Sequence, residues 1–119
     1  ISVADWRPAR RSNRKIKSSD GPPKIEFRKN PDILAALGKI KKNRILVGFA
    51  LETENLEKNA LEKLKSKRAD LIVANAHSAI GAASSAVLIL GENVREEIGP
   101  EKKKKIAGRI VRIVEELAP

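Results

Sequence analysis

The chain has 119 residues, 41% hydrophobic and 34% charged, which is the size of one domain or part of one, with enough apolar residues to bury a core. With no cysteine and one histidine, His77, disulfides, thiolate chemistry and a multi-histidine metal centre are excluded; no apolar run approaches the roughly 18 residues of a membrane span and no signal peptide opens the chain, so a cytoplasmic setting is expected. The formal charge of +10 calls for a negatively charged partner, either nucleic acid, nucleotide phosphates or an acidic segment.

Ile1-Ser2-Val3-Ala4 is an apolar, β-type opening that reads as the tail of a strand and, with no methionine in the chain, suggests a fragment. Asp5 to Pro23 carries Pro8, Pro22, Pro23, Gly21 and a Ser18-Ser19-Asp20 cluster and reads as a loop. Between Arg7 and Lys29 nine basic residues face only Asp20 and Glu26, which is +7 of the total +10. A loop this long is either a functional cover or disordered, and its basicity favours a mobile cover over an anion. Lys24 to Arg28 alternates with period two and predicts a short half-exposed strand.

Asn30-Pro31-Asp32-Ile33 looks like a helix start, with Asn30 as N-cap and Pro31 at the first helical position, the helix ending near Gly38. Arg44 to Ala50 is a nearly continuous apolar run of the kind that forms strands buried on both faces. Leu56, Ala60 and Leu64 recur every four residues and predict an amphipathic helix over Glu54 to Lys67. Ala69 to Ala74 and Ala86 to Leu90 read as further buried strands, and Val94 to Ile98 pairs with the latter across Gly91-Glu92-Asn93 as a hairpin. Pro100 then opens a last helix with the stripe Ile106, Ile110, Ile113, Val114 and Leu117. The alternation predicts an α/β fold, its sheet mostly parallel with an antiparallel edge hairpin.

In open α/β sheets ligands collect past the carboxyl ends of the strands, which draws attention to Asp5, Asn30-Pro31-Asp32, Phe49-Ala50 and Asn75. Asp5 either holds Mg²⁺ that is already bound to phosphates or caps a turn. The Asn30 helix start suits an anion or the polar edge of a base, or is only a cap. Lys63 and Lys67, four apart, share a helix face that either grips one polyphosphate or is simply solvated. Lys15 and Lys17 are placed in the basic loop to offset charge developing over a bound phosphate. His77 reads as an ordinary loop residue.

Five segments, Val3-Ala4-Asp5-Trp6-Arg7-Pro8, Lys15-Ile16-Lys17, Asn30-Pro31-Asp32-Ile33-Leu34, Val47-Gly48-Phe49-Ala50 followed by Glu52-Thr53, and Ala69-Asp70-Leu71-Ile72-Val73-Ala74-Asn75, resemble phosphopantothenate-cysteine ligase in order and spacing. In bacteria this ligase is usually the C-terminal half of a bifunctional protein whose other half is a decarboxylase. The resemblance implies a Rossmann-like domain lacking its N-terminal half, and a two-step reaction with CTP and Mg²⁺, ATP not being excluded. The carboxylate of 4′-phosphopantothenate is converted to an acyl-cytidylate with loss of pyrophosphate, and the cysteine amine then displaces CMP.

By the same resemblance Lys15 is the catalytic loop lysine, and Asp5 meets the nucleotide and its Mg²⁺. Pro31, Asp32, Ile33 and Leu34 contact the nucleotide, partly through backbone. Phe49 lines its pocket, Lys63 and Lys67 take its phosphates, and Ile1 ends a segment that also touches it. A homodimer is implied, and FMN only where the decarboxylase half is fused. The sequence departs from the family pattern at Ser18, where many members carry lysine, at Leu51, and through 77–86. Two alternatives remain: a basic nucleic-acid-binding module, for which Trp6, Phe27 and Phe49 supply few stacking platforms, and a non-catalytic nucleotide-binding remnant.

Overall fold

A computed structural model of the chain describes residues 4–76 and 84–119. They fall into two compact units, Ile1–Ile33 and Leu34–Pro119.

The first unit is built on a two-stranded antiparallel ribbon, β1 (Trp6–Pro8) and β2 (Phe27–Lys29), in which Trp6 pairs with Lys29, Arg7 with Arg28 and Pro8 with Phe27. The segment 5–23, expected as an uninterrupted loop, therefore contains a strand, and the strand expected at Lys24 to Arg28 is shifted to Phe27–Lys29. Pro8 hides β1 from a sequence reading, yet proline is tolerated at a strand end in a ribbon that has two edges. The ladder continues on both sides, Ala9 N–H donating to the Glu26 carbonyl and Asn30 N–H to the Asp5 carbonyl, both at 2.7 Å. The Arg7–Arg28 pairing sets two like charges opposite each other, which is unfavourable; Arg7 Nη1 is turned to Asn30 Oδ1 at 2.9 Å.

Asn30 does not cap a helix. Its Nδ2 donates to the Ala4 carbonyl at 2.6 Å, and the first helix, α1, runs over Ile33–Ile40, starting three residues later and ending two residues beyond Gly38. The side chain that sequence reasoning assigns to the helix end is used to close the ribbon.

The second unit holds a four-stranded sheet in the order β3 (Val47–Glu52), β4 (Leu71–Ala76), β5 (Ser84–Gly91), β6 (Arg95–Lys102). β3 and β4 are parallel and joined by α2 (Leu56–Lys67), while the β4–β5 and β5–β6 pairings are antiparallel. The expected α/β class and edge hairpin are present; the antiparallel part extends one strand further inward than the hairpin alone. Successive side chains alternate between two faces. On one face Ala50, Ile72, Ala74, Leu88 and Leu90 pack against Ala60 and Leu64 of α2 and Leu34 of α1. On the other, Leu71, Val73, Val87 and Ile89 pack against Ile106 and Ile113 of α3 (Lys103–Leu117). Covered on both sides, β4 and β5 read as unbroken apolar runs.

Pro100 does not open the last helix. It lies inside β6, which continues to Lys102, and α3 starts at Lys103. The strand passes a register shift between Ser85 and Val87, where Gly99 has φ +127° and an added Cβ would sit 2.5 Å from the Ala86 Cα. Only glycine supplies that backbone and that clearance, so Gly99-Pro100 is a strand irregularity in which the proline imitates a helix-start signal.

Candidate functional site

Among the described residues β3 lies at one edge of the sheet, and its alternation sorts the candidate residues. Gly48 and Ala50 lie on the α2-side core face; a Cβ at Gly48 would meet the terminal methyls of Leu34 and Ile72 at 2.7 Å, so these two side chains close over the strand at the glycine. Phe49, one residue on, faces the other way and is 70% exposed. It lines a groove of about 230 Å³ together with Asn75, Ser85 and Lys103 over a floor that includes Val73 and Ile106. Phe49 and Asn75, both singled out from the sequence as residues past or near strand ends, thus share one groove.

The last residue of β3 is Glu52. Its side chain is only 12% exposed, and its carboxylate accepts from Lys63 Nζ at 2.5 Å through Oε1 and from Asn59 Nδ2 at 2.9 Å through Oε2. Asn59 also donates to the Glu54 carbonyl at 3.0 Å. The hydrogen bond from Lys63 holds the Glu52 carboxyl below the usual glutamate value; burial opposes this, and Asn59 and the Lys63 charge add to it. Asn59 and Lys63 are one turn apart on α2 and share a face, with Lys67 another turn on. An ammonium has three N–H donors, so Lys63 keeps donors beyond the one given to Glu52.

Apart from Leu34, the remaining described residues predicted from the sequence lie in the first unit. Asp5 and Lys15 are exposed, as are Pro31, Asp32 and Ile33, while Leu34, the first residue of the second unit, is half-buried against the α2-side core. The Asn30 to Asp5 backbone hydrogen bond brings Asp5 beside the start of the Pro31–Ile33 segment. A cleft of about 490 Å³ in the same unit is lined by Arg10, Arg11 and Lys24 among apolar Pro8, Ile16 and Ile25. Ile1 and His77 lie outside the described residues. Glu52 and Asn59 were missed as candidates; the signal available was a glutamate ending an apolar strand and an i, i+4 Asn–Lys pair on the following helix.

Among the described residues no group of three or more His, Cys, Asp or Glu is placed to hold a metal ion. Asp5 offers a single exposed carboxylate, a hard oxygen donor that suits Mg²⁺ when phosphates complete the coordination. Among the described residues no helix is long and apolar enough to cross a membrane.

Known proteins resemble this chain in sequence and in fold. The coenzyme A biosynthesis bifunctional protein CoaBC of Bacillus subtilis (strain 168) is 47% identical over 81 residues, 68% of this chain and 20% of that protein. The CoaBC protein of Borreliella burgdorferi is 36% identical over 116 residues, 95% of this chain and 30% of its own length. The solved C-terminal domain of a CoaBC protein superposes with a TM-score of 0.74 at 31% identity, covering 98% of this chain and 51% of that one. The DNA/pantothenate metabolism flavoprotein from Streptococcus pneumoniae has the same fold, with a TM-score of 0.75 at 22% identity over 98% of this chain and 57% of its own. The chain thus spans less than a third of these curated relatives and about half of the solved chains, and the α/β fold expected from the sequence is the one they share. With residues 1–117 matching its description, the chain belongs to the DNA/pantothenate metabolism flavoprotein C-terminal domain family.

Proposed function

We propose that this chain is the C-terminal part of a phosphopantothenate-cysteine ligase domain and supplies much of its nucleotide site, acting in the cytoplasm as part of a homodimer, with FMN involved only where a decarboxylase half is fused. The observation that carries the reading is the placement of Lys63, held by Glu52, at the carboxyl end of parallel β3, on the strand that also exposes Phe49. Relatives named for coenzyme A biosynthesis support it.

The chemistry explains why such residues are needed. A carboxylate is a poor electrophile with a poor leaving group. Its oxygen therefore attacks the α-phosphorus of CTP, breaking the bond to pyrophosphate and forming an acyl-cytidylate. The cysteine amine then attacks the acyl carbon, and CMP leaves as the amide forms. Phe49 offers a face for the base, and Lys63 with Lys67 binds the phosphates. Pro31, Asp32, Ile33 and Leu34 contact the nucleotide partly through their backbone. Lys15 meets the negative charge that develops on the phosphate, where a positioned cation is worth most. Asp5 would hold Mg²⁺, which supplies charge neutralisation on the polyphosphate when bound.

Calorimetric titration of the native protein with CTP and with ATP, in Mg²⁺ and at two salt concentrations, tests the reading, with pyrophosphate release in the presence of 4′-phosphopantothenate and cysteine as the activity. CTP binding at both salts with cysteine-dependent product supports it; no nucleotide binding at either salt overturns it.

One observation favours a second reading. The +7 of the basic segment lies in a unit whose ribbon places Trp6 and Phe27 on one face, both exposed, a combination that suits nucleic acid. Binding of that kind would fall steeply with salt.

A further inference from the structure

The reading above gives Glu52 no contact with the nucleotide, yet its side chain is enclosed beside the proposed phosphate ligand Lys63. Its environment is a relay: the Glu54 carbonyl accepts from Asn59, Asn59 donates to Glu52 Oε2, and Glu52 Oε1 accepts from Lys63. Both carboxylate oxygens are thereby tethered, and so is the ammonium.

We propose that Glu52 is a positioning residue for the phosphate end of the nucleotide site, holding the Lys63 ammonium, with Asn59 as its brace, in the place where a phosphate oxygen arrives. The inference rests on Lys63 being a phosphate ligand. A lysine side chain has many rotamers, and freezing it when the ligand binds costs affinity. A lysine already held by a tethered carboxylate loses less, and two of its donors remain for phosphate.

The arrangement is poorly explained as a stability device. α2 is already fixed to the sheet by Ala60 and Leu64, both buried in the core, so the helix does not depend on an ion pair at its rim. Enclosing a carboxylate is costly in itself, and such pairs are weak evidence for stability. Its location, at the end of a parallel strand where ligands collect in α/β sheets, fits a binding role.

The test is steady-state kinetics of the native protein with Glu52→Ala, Glu52→Gln, Lys63→Ala and the Glu52→Ala/Lys63→Ala pair. Glu52→Ala should raise the nucleotide KM about tenfold with kcat within about threefold, while Glu52→Gln, which keeps an acceptor oxygen for Lys63, recovers most of the loss. In the Lys63→Ala background, Glu52→Ala should add less than about twofold, because the two act as one unit.

A wild-type or tighter KM for Glu52→Ala, or a full effect that persists without Lys63, overturns the inference while leaving the ligase reading intact. Should Glu52→Ala fail to fold, Asn59→Ala decides: a KM raised a few-fold supports the brace, and an unchanged KM overturns it. A wild-type protein with no nucleotide-dependent turnover removes the ligase reading and this inference together.

Discussion

Arg109 on α3 grips Glu96 on β6 in a fork, Nε donating to Oε1 and Nη2 to Oε2, each at 2.7 Å. The Arg109 hydrogen bonds hold the Glu96 carboxyl below the ordinary glutamate value of 4.5, against a smaller opposing effect of burial. A carboxyl depressed on folding stabilises the native state above its unfolded pKa, and that contribution is lost as pH falls through its folded value. Glu96→Gln should therefore lower Tm at neutral pH and flatten the fall of Tm below about pH 4.5. Thermal unfolding of both proteins across that range checks it; parallel curves would mean that the fork contributes no acid sensitivity.

Two helical glycines predict opposite outcomes. A Cβ at Gly38 of α1 would run into the Lys67 carbonyl at the end of α2, whereas one at Gly108 of α3 meets nothing within 4 Å. Gly38→Ala should destabilise by about 1–3 kcal/mol. Gly108→Ala should stabilise by about 0.5–1 kcal/mol through the lower backbone entropy of alanine in the unfolded chain. Urea unfolding of the two variants measures both signs in one experiment.

Ile113 is 2% exposed beneath α3, while Val111, two residues earlier, is 54% exposed. Ile113→Ala should cost about 2–5 kcal/mol, because it opens a cavity against the sheet. Val111→Ala should change stability by no more than about 0.5 kcal/mol. Equal losses in denaturant unfolding would contradict the assigned helix face.

Lys15 is exposed in the first unit and supports no core. In the native protein Lys15→Gln should slow turnover by about 10²-fold or more if it meets developing charge, with Tm unchanged. Wild-type turnover would remove Lys15 from the proposed mechanism.

The elements legible in the sequence are those whose pattern and packing agree. Leu56, Ala60 and Leu64 mark α2 at helical spacing, and the runs of β4 and β5 are apolar because both sheet faces are covered there; β3, whose run reads as buried on both faces, is covered on the α2 side and leaves Phe49 and Leu51 exposed on the other. Errors occur where a strong local signal is used for something else: Asn30 ties the ribbon through Ala4 and Arg7, and Pro100 sits in a strand. β1 was hidden because three residues containing a proline carry no periodicity. In the proposed site, Phe49, Lys63 and Lys67 are visible in the sequence as residue types at suggestive positions. Glu52 is not, since only the folded chain brings residues 52, 59 and 63 into one hydrogen-bonded group.

The single tryptophan, Trp6, lies on β1 of the first unit and is 57% exposed, whereas among the described residues the α-helices lie wholly or almost wholly in Leu34–Pro119. Tryptophan emission is accordingly an optical reporter of the basic unit alone, and far-ultraviolet ellipticity follows the helical layers of the other. Recorded side by side during denaturation, the two signals show whether the halves melt as one cooperative body or separately. During a titration, Trp6 emission serves as a built-in, label-free sensor of whatever anion settles beside Asp5.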